Sequence, residues 1–278
     1  MSQGETPTQY WDTTTFLGSS STTSKETALI ILNTPLPPQS LFKRIWKTAR
    51  VRYCADGGAN RLFDRFVKGK GKLEPTEDWT EEDEIEENWL PDLVLGDLDS
   101  LRPEVKAYYE RKGVQVRHDP DEFSTDLGKN VNELSNYEQT VLKDQSQLQL
   151  VIVGGLSGRL DQTIHTLHAL IQLVEKEGRR QVWAIGKESA ACILPKGKHH
   201  LKIDLASFGK TCGILPLGSS QAFVTTSGLE WDLGPTSYMY PTSLAEAVST
   251  SNHLIQEEVT IKTDVTVVWT MEVRGGSD

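Results

Sequence analysis

The chain has 278 residues, 37% of them hydrophobic, seven tryptophans and a formal net charge of −10. That length and hydrophobic content are enough to bury one large core or two ordinary ones, and two domains are the better expectation. The acidic balance argues against a nucleic-acid-binding or membrane-binding surface, because both need clustered Lys and Arg. A polyanionic ligand would therefore need a local basic site or a metal.

The three cysteines, Cys54, Cys192 and Cys212, are scattered and form no CxxC pair. Neither a disulfide framework nor a zinc site is indicated. The first residues show no secretory signal, and no apolar run reaches transmembrane length. We therefore expect a cytoplasmic protein.

Residues 1–26 are rich in Ser, Thr and Gly and predict a flexible leader. From Ala28 strands and helices alternate. The predicted strands are ALIILN, VRYCAD, DLVLGD, VQVRH and LQLVIVGG, and the helices are SLFKRIWKTAR, GANRLFDRFV, Pro103 to Lys112, one beginning near Ser124 or Thr125, and LDQTIHTLHALIQLVEKEG. Such alternation predicts an α/β domain over residues 27–178 with a mainly parallel sheet.

Two regions differ from this pattern. The acidic stretch near residues 68–90 predicts a solvated surface insertion, because dense like charges repel one another. Residues 179–278 contain short β-branched or aromatic segments punctuated by turn residues, which predicts a C-terminal all-β sandwich domain. These segments are QVWAIG, ACILPK, HHLKIDL, TCGILPL, AFVTTSG, EWDL, AEAVST, EVTIKT and TVVWTMEV.

Four aspartates follow predicted strands. Asp56 follows YCA, Asp97 and Asp99 follow LVL, and Asp126 lies just past VQVRH. Any one of them also fits a helix cap or a turn, and a DxD pair occurs in ordinary turns too. Gathered at the carboxyl edge of one sheet, however, carboxylates repel unless protonated or bridged by a cation, and Mg²⁺ prefers hard oxygen ligands. Their joint placement therefore predicts a metal site.

The stretch GGLSGR, from Gly154 to Arg159, is a glycine-rich turn between a strand and a helix. Its backbone amides could hold phosphate, with Arg159 adding a positive charge, although such turns are common without a ligand. It is neither a P-loop nor a nucleophile elbow. His165 and His168 have metal-ligand spacing but no acidic partner, and Trp231 fits either a core residue or a stacking platform.

Together these motifs resemble one family, the thiamin pyrophosphokinases. The matching stretches are DGGANRLFD (56–64), LPDLVLGDLDSLRPEVKAYYERKG (90–113), PDEFSTDLGKN (120–130), GGLSGRLDQ (154–162), PKGKHHL (195–201), TSGLEWDL (226–233) and VSTSN (248–252). They occur in the family's order. The resemblance implies transfer of pyrophosphate from ATP to the hydroxyl of thiamin, giving thiamin pyrophosphate and AMP. It also implies a homodimer with active sites at the subunit interface.

The resemblance further implies roles for individual residues. Mg²⁺ and the ATP phosphates would be surrounded by Asp56, Asp97, Asp99 and Asp126; phosphate charge would be neutralised by Lys129 and Arg159; and the nucleotide pocket would include Gly154, Gly155, Asp161 and Gln162. Thiamin would lie against Trp231, with polar contacts from Ser251 and Asn252. Glu122 and Phe123 depart from the DQD that family members often carry, so their roles do not transfer.

Two other functional classes remain open on the sequence. A phosphotransferase for another small alcohol would keep the aspartates but change the pocket around Trp231. A thiamin-binding sensor without catalysis would keep Trp231 but lose metal ligands, and all four aspartates are present.

Overall fold

The computed structural model describes residues 7–18, 26–68, 86–143, 147–219, 222–234 and 249–275. Numbered in chain order, the first elements are a short strand, β1 (Thr8–Asp12), and one helical turn, α1 (Thr13–Phe16).

An α/β half follows. Its strands are β2 (Thr27–Ile31), β3 (Ala49–Ala55), β4 (Leu93–Gly96), β5 (Gln115–His118), β6 (Gln149–Val153) and β7 (Val182–Ile185). Its helices are α2 (Gln39–Thr48), α3 (Gly58–Phe66), α4 (Pro103–Arg111), α5 (Asp126–Tyr137), which continues into a π-helical turn at Glu138–Leu142, and α6 (Leu160–Glu175). Helix α4 begins with Pro103, whose fixed φ suits a first helical position, and Thr125 caps α5 through its hydroxyl.

The six strands of this half are parallel and lie in the order β7-β6-β2-β3-β4-β5. Helices α2, α3 and α4 pack on one face of the sheet, and α5 and α6 pack on the other. The mainly parallel α/β sheet predicted from the sequence is confirmed. The chain moves outward from β2 in one direction to β5 and then returns to β6 on the other side, so the strand order reverses between β2 and β6. In open α/β sheets ligands bind at such a reversal, at the carboxyl ends of the strands.

The C-terminal half is a second group of strands. They are β8 (Ser189–Leu194), β9 (Gly197–Lys202), β10 (Phe208–Leu215), β11 (Val224–Ser227), β12 (Ser249–His253), β13 (Glu258–Thr263) and β14 (Val267–Val273). Strands β8, β14, β10 and β12 continue the parallel sheet beyond β7, giving ten strands in all, while β1, β9, β13 and β11 form a separate four-stranded sheet. The C-terminal all-β sandwich domain predicted from the sequence is confirmed as a β-strand domain whose strands divide between these two sheets. The predicted boundary after residue 178 falls inside one continuous sheet, because β7 pairs with β6 on one side and with β8 on the other.

The flexible leader predicted for residues 1–26 is wrong for residues 8–18. Strand β1 pairs in parallel with β9, so that a piece of the leader completes the four-stranded sheet. Trp11 is only 1% exposed, and its indole nitrogen donates to Nδ1 of His199 at 3.1 Å. Residues 1–6 and 19–25 lie outside the described residues.

Two smaller corrections concern the acidic insertion and EWDL. Most of the insertion, residues 69–85, lies outside the described residues. Its end is not a solvated loop, because Trp89 is buried and stacks on Phe66 with ring centroids 3.9 Å apart. The segment EWDL forms a turn rather than a strand, since Asp232 accepts hydrogen bonds from the backbone of Gly228 and Leu229.

Candidate active site

Three predicted aspartates meet at the carboxyl edge of the parallel sheet. Asp56 follows β3, and Asp97 and Asp99 follow β4, the neighbouring strand. One carboxylate oxygen from each lies within 4.8 Å of the other two. Three hard oxygen donors this close to one another fit a small divalent cation such as Mg²⁺.

Asp56 also shapes the loop that carries the other two acids. Its carboxylate accepts hydrogen bonds from the backbone of Ser100 at 3.2 Å and of Leu101 at 3.1 Å. Burial raises the pKa of Asp56, and hydrogen bonds from Gly57 and Ser100 oppose this effect. Its backbone is left-handed, with φ of 45°, a conformation that Asp tolerates better than most residues. Asp56 therefore holds the loop from Asp97 to Leu101 against the end of β3.

Asp126 joins the cluster from the opposite side. It is the first residue of α5, and its Oδ1 accepts from the backbone amide of Asp97 at 3.3 Å. Burial raises the pKa of Asp126, and the charge of Asp97 raises it further. A Cβ atom at Gly96 would lie 2.8 Å from both Asp126 Oδ1 and Asp56 Cβ, so only glycine allows these acids to approach.

Lys129 and Asn130 fix this end of α5. The Lys129 ammonium is buried, donates to the carbonyl of Asp119 at 2.9 Å and lies 3.7 Å from Asp126 Oδ1. Asn130, which the sequence analysis did not single out, donates from Nδ2 to the carbonyls of Leu95 at 3.0 Å and Asp126 at 2.8 Å. The helix start is thus tied to the end of β4, which sets where Asp126 stands relative to Asp97.

A cavity of about 390 Å³ adjoins Lys129 between β5 and α5. Its walls are mostly polar and include Arg117, Asp119 and Asn136. Phe123, one of the departures from the resemblance, is fully exposed in the loop that leads to α5.

Two backbone amides of the glycine-rich turn after β6 already make hydrogen bonds within the chain. The amide of Gly154 donates to the carbonyl of Ile185 at 2.8 Å, and the amide of Gly155 donates to the Thr34 hydroxyl at 3.0 Å. The predicted phosphate contacts from these two amides are thus replaced by internal hydrogen bonds. Arg159 is largely exposed and its guanidinium binds Asp161, while Gln162 is exposed beside them at the start of α6.

The residues predicted for thiamin binding lie together in the β half. Trp231 is 46% exposed, in the turn after β11, and its ring lies 5.2 Å from that of His253. Asn252 is buried. Its Oδ1 accepts a hydrogen bond from the backbone amide of Trp231 at 3.2 Å, and its Nδ2 donates to the backbone carbonyl of Trp231 at 2.8 Å. Ser251 is exposed, with φ of 57°. Asn252 therefore positions the tryptophan, and its amide is occupied in doing so.

This aromatic group and the acidic cluster stand far apart within one chain. Strand β12, which carries Ser251 and Asn252, is the first strand of the ten-stranded sheet, and β4 is the ninth. At about 4.8 Å per strand spacing the separation along the sheet is roughly 38 Å. The structure brings together Asp56, Asp97, Asp99, Asp126 and Lys129 at one place and Trp231, Ser251 and Asn252 at another.

The two histidines with metal-ligand spacing, His165 and His168, line a second cavity, of about 220 Å³, between α5 and α6. Among the helices that the structure describes, none is long and apolar enough to cross a membrane.

The fold and the acidic site define a class of protein: a parallel α/β sheet that presents clustered carboxylates, joined to a β-strand domain with an exposed tryptophan. Comparisons with known proteins identify the family within that class. Residues 42–182 match the model of the thiamin pyrophosphokinase catalytic domain, and residues 198–268 match that of the vitamin B1 binding domain of the same family.

Named relatives agree with the family models. Thiamine pyrophosphokinase 3 of Oryza sativa subsp. japonica is 36% identical over 254 residues, covering 89% of this chain and 87% of the relative. Thiamine pyrophosphokinase 1 of Arabidopsis thaliana is 32% identical over 251 residues, covering 89% and 86%. The solved yeast thiamin pyrophosphokinase shares the fold with a TM-score of 0.77 at 24% identity, covering 99% of this chain and 94% of the yeast chain. The chain belongs to the thiamin pyrophosphokinase family.

Proposed function

We propose that the chain transfers pyrophosphate from ATP to the hydroxyl of thiamin on the cluster of Asp56, Asp97, Asp99 and Asp126, with Mg²⁺ as the metal. The observation that carries this proposal is the convergence of the Asp56, Asp97 and Asp99 carboxylates within 4.8 Å, in a chain of this family. Crowded carboxylates are costly without a cation, and the donor set is the one that Mg²⁺ prefers. When bound, Mg²⁺ would supply charge neutralisation for the phosphates of ATP.

The chain's own groups supply positioning. In-line phosphoryl transfers depend mainly on orientation and on neutralising charge, so a strong dedicated base is not required. Asp56 and Asn130 hold the two carboxylate-bearing segments in place. Lys129 and Arg159 are proposed to face phosphate oxygens, and Asp161 and Gln162 to line the nucleotide site.

Thiamin is proposed to bind at Trp231. Thiamin carries a fixed positive charge, and an aromatic face attracts cations. The partly exposed indole, held by Asn252 and flanked by His253, is a ready platform for it. Ser251 stands on the exposed side of the same segment.

We further propose that the enzyme is a homodimer whose active sites lie between subunits. The separation of roughly 38 Å along one sheet is too large for a single thiamin molecule to reach both Trp231 and the aspartates of its own chain. A two-fold partner would bring the tryptophan of one copy to the acids of the other. We also propose a cytoplasmic location, supported by three cysteines that are all buried, free thiols.

The decisive experiment is AMP release from ATP, measured with and without thiamin and with and without Mg²⁺. We expect AMP and thiamin pyrophosphate only when both are present. ADP as the product would show a simple kinase, and thiamin binding without any nucleotide product would show a sensor. Either result would refute the proposed reaction.

A further inference from the structure

Arg61 is a positively charged residue at the carboxyl edge of the sheet to which no role has yet been assigned. It lies on the exposed side of α3, the helix that begins just after Asp56. Its Nε donates to Oδ1 of Asn33 at 2.9 Å. Asn33 lies two residues after the end of β2, the strand at which the sheet order reverses.

Asn33 connects Arg61 to the acidic cluster. Gly57, the residue after Asp56, packs so closely on Asn33 that a Cβ atom there would overlap the Asn33 amide. The same Cβ would lie 3.1 Å from Cβ of Ser100, in the loop that carries Asp97 and Asp99. Asn33, Gly57 and Ser100 therefore form one contact across the ends of β2, β3 and β4, and Arg61 is anchored to it.

The two terminal nitrogens of the Arg61 guanidinium are free to bind a ligand. Within the described part of the chain, the guanidinium of Arg61 donates a hydrogen bond only through Nε. The N–H groups of its two terminal nitrogens therefore remain available to a ligand. The other cations of the site are engaged: Arg159 binds Asp161, and Lys129 donates to Asp119 and faces Asp126. A guanidinium matches phosphate geometry with two parallel hydrogen bonds.

We infer that Arg61, oriented by Asn33, binds the polyphosphate chain of the nucleotide on the α3 side of the acidic cluster. This inference rests on the proposed function, since it assigns a subsite for the ATP of that reaction. A cluster of four carboxylates repels a polyphosphate, and a free arginine beside it offsets that repulsion. The reversal point of the sheet between β2 and β6 is where such a ligand is expected.

The test compares Arg61→Gln, Arg61→Lys and Asn33→Ala by calorimetric titration with Mg-ATP and with Mg-tripolyphosphate, which lacks a nucleoside. We expect Arg61→Gln to weaken binding of both ligands by about tenfold or more, because a charge-assisted phosphate contact is lost. Arg61→Lys should recover part of this affinity, and Asn33→Ala should lose a smaller part. Thiamin affinity should stay within about twofold in all three.

Arg111→Gln is the matched control, because Arg111 ends α4, away from the carboxyl edge, and its removal changes the net charge equally. Loss of ATP affinity in Arg111→Gln as large as in Arg61→Gln would overturn the inference. So would unchanged tripolyphosphate affinity in Arg61→Gln, which would place any contact on the nucleoside. The proposed reaction is judged separately, by thiamin-dependent AMP release from the wild-type enzyme.

Discussion

At the scale of one side chain, Asp97, a proposed metal ligand, shows how a site residue can lower stability. Burial raises the pKa of both Asp126 and Asp56, and the charge of Asp97 raises both further, so these carboxylates repel one another when no cation bridges them. Oδ1 of Asp97 accepts a hydrogen bond from the backbone amide of Asp99 at 3.2 Å, and the side-chain oxygen in Asp97→Asn can still accept it. We expect turnover to fall by about a hundredfold or more. We expect the metal-free protein at pH 7 to melt slightly higher.

The measurement is paired AMP release and thermal melting, with and without Mg²⁺. Mg²⁺ should raise the melting temperature of the wild type more than that of Asp97→Asn. Glu110→Gln, on the surface of α4, removes the same charge elsewhere and serves as the control. Normal turnover in Asp97→Asn would remove this residue from the metal site.

Trp231 and Asn252 make a second prediction at this scale. If the indole is the thiamin platform, Trp231→Ala raises the KM for thiamin by about tenfold and leaves the KM for ATP within about twofold. Asn252→Ala should act in the same direction, because its amide holds both backbone groups of Trp231. Steady-state kinetics with each substrate varied in turn measures both. Equal rises in the two KM values would show a structural role instead.

The sequence predicted the carboxylates that are proposed to bind the metal, but it missed the amide side chains that hold the neighbouring segments in place. Asp97 and Asp99 were predicted because a buried strand ends just before them, which is a local pattern. Asn33 and Asn130 were missed because each acts across a tertiary contact, on Arg61 and on Leu95 respectively. Nothing in the neighbouring sequence marks an amide for such a role.

At the scale of one element, β1 shows how composition can mislead. Its Ser/Thr-rich surroundings indicate disorder, yet its partner strand β9 lies about 190 residues away, where no local pattern reveals the pairing. Trp11 packs edge-on against Trp183 with ring centroids 6.1 Å apart. Trp11→Ala should lower the free energy of unfolding by about 3–5 kcal/mol, the usual cost of deleting a buried aromatic side chain.

Urea unfolding checks this prediction for β1. Tyr10→Ala is the matched control, since Tyr10 is the preceding residue of the same strand and is 67% exposed. It should change the free energy of unfolding by less than about 1 kcal/mol. An effect of Trp11→Ala as small as the one expected for Tyr10→Ala would mean that β1 contributes little to the stability of the fold.

His199 on β9 gives this sheet a dependence on pH. Its Nδ1 accepts from Trp11, so Nε2 carries the proton and donates to the carbonyl of Pro195 at 2.7 Å. Burial lowers the pKa of His199 below its ordinary value. The stability it contributes is therefore complete above the unfolded pKa of about 6.5 and is lost as the pH falls below that value.

We expect His199→Gln to flatten this part of the pH profile, because the glutamine amide accepts and donates without gaining a proton. The free energy of unfolding between pH 5 and 6.5 should fall less steeply, by up to about 1.4 kcal/mol per pH unit. His118→Gln, at the exposed end of β5, is the control. An unchanged slope in His199→Gln would show that His199 does not carry the effect.

At the scale of the whole molecule, one ten-stranded sheet sets the positions of the two proposed substrate sites. The two predicted halves are joined through β7 and β8, which fixes the acids near one edge of the sheet and the tryptophan segment at the other. The sequence predicted both groups of residues but not the distance between them. That distance depends on strand order, which local patterns do not specify.

The interface proposal predicts complementation between inactive variants. Asp97→Asn lacks the acid half of each site, and Trp231→Ala lacks the thiamin half. If each site takes one half from each subunit, a mixed dimer holds one site with both defects and one site with none. Unfolding and refolding an equal mixture should then restore roughly a quarter of the wild-type activity, because half of the dimers are mixed and each has one intact site. The assay uses thiamin well below the KM of Trp231→Ala, and refolding each variant alone is the control. Activity no higher than the average of the two variants would place both halves of the site in one chain, which the order of the ten strands argues against.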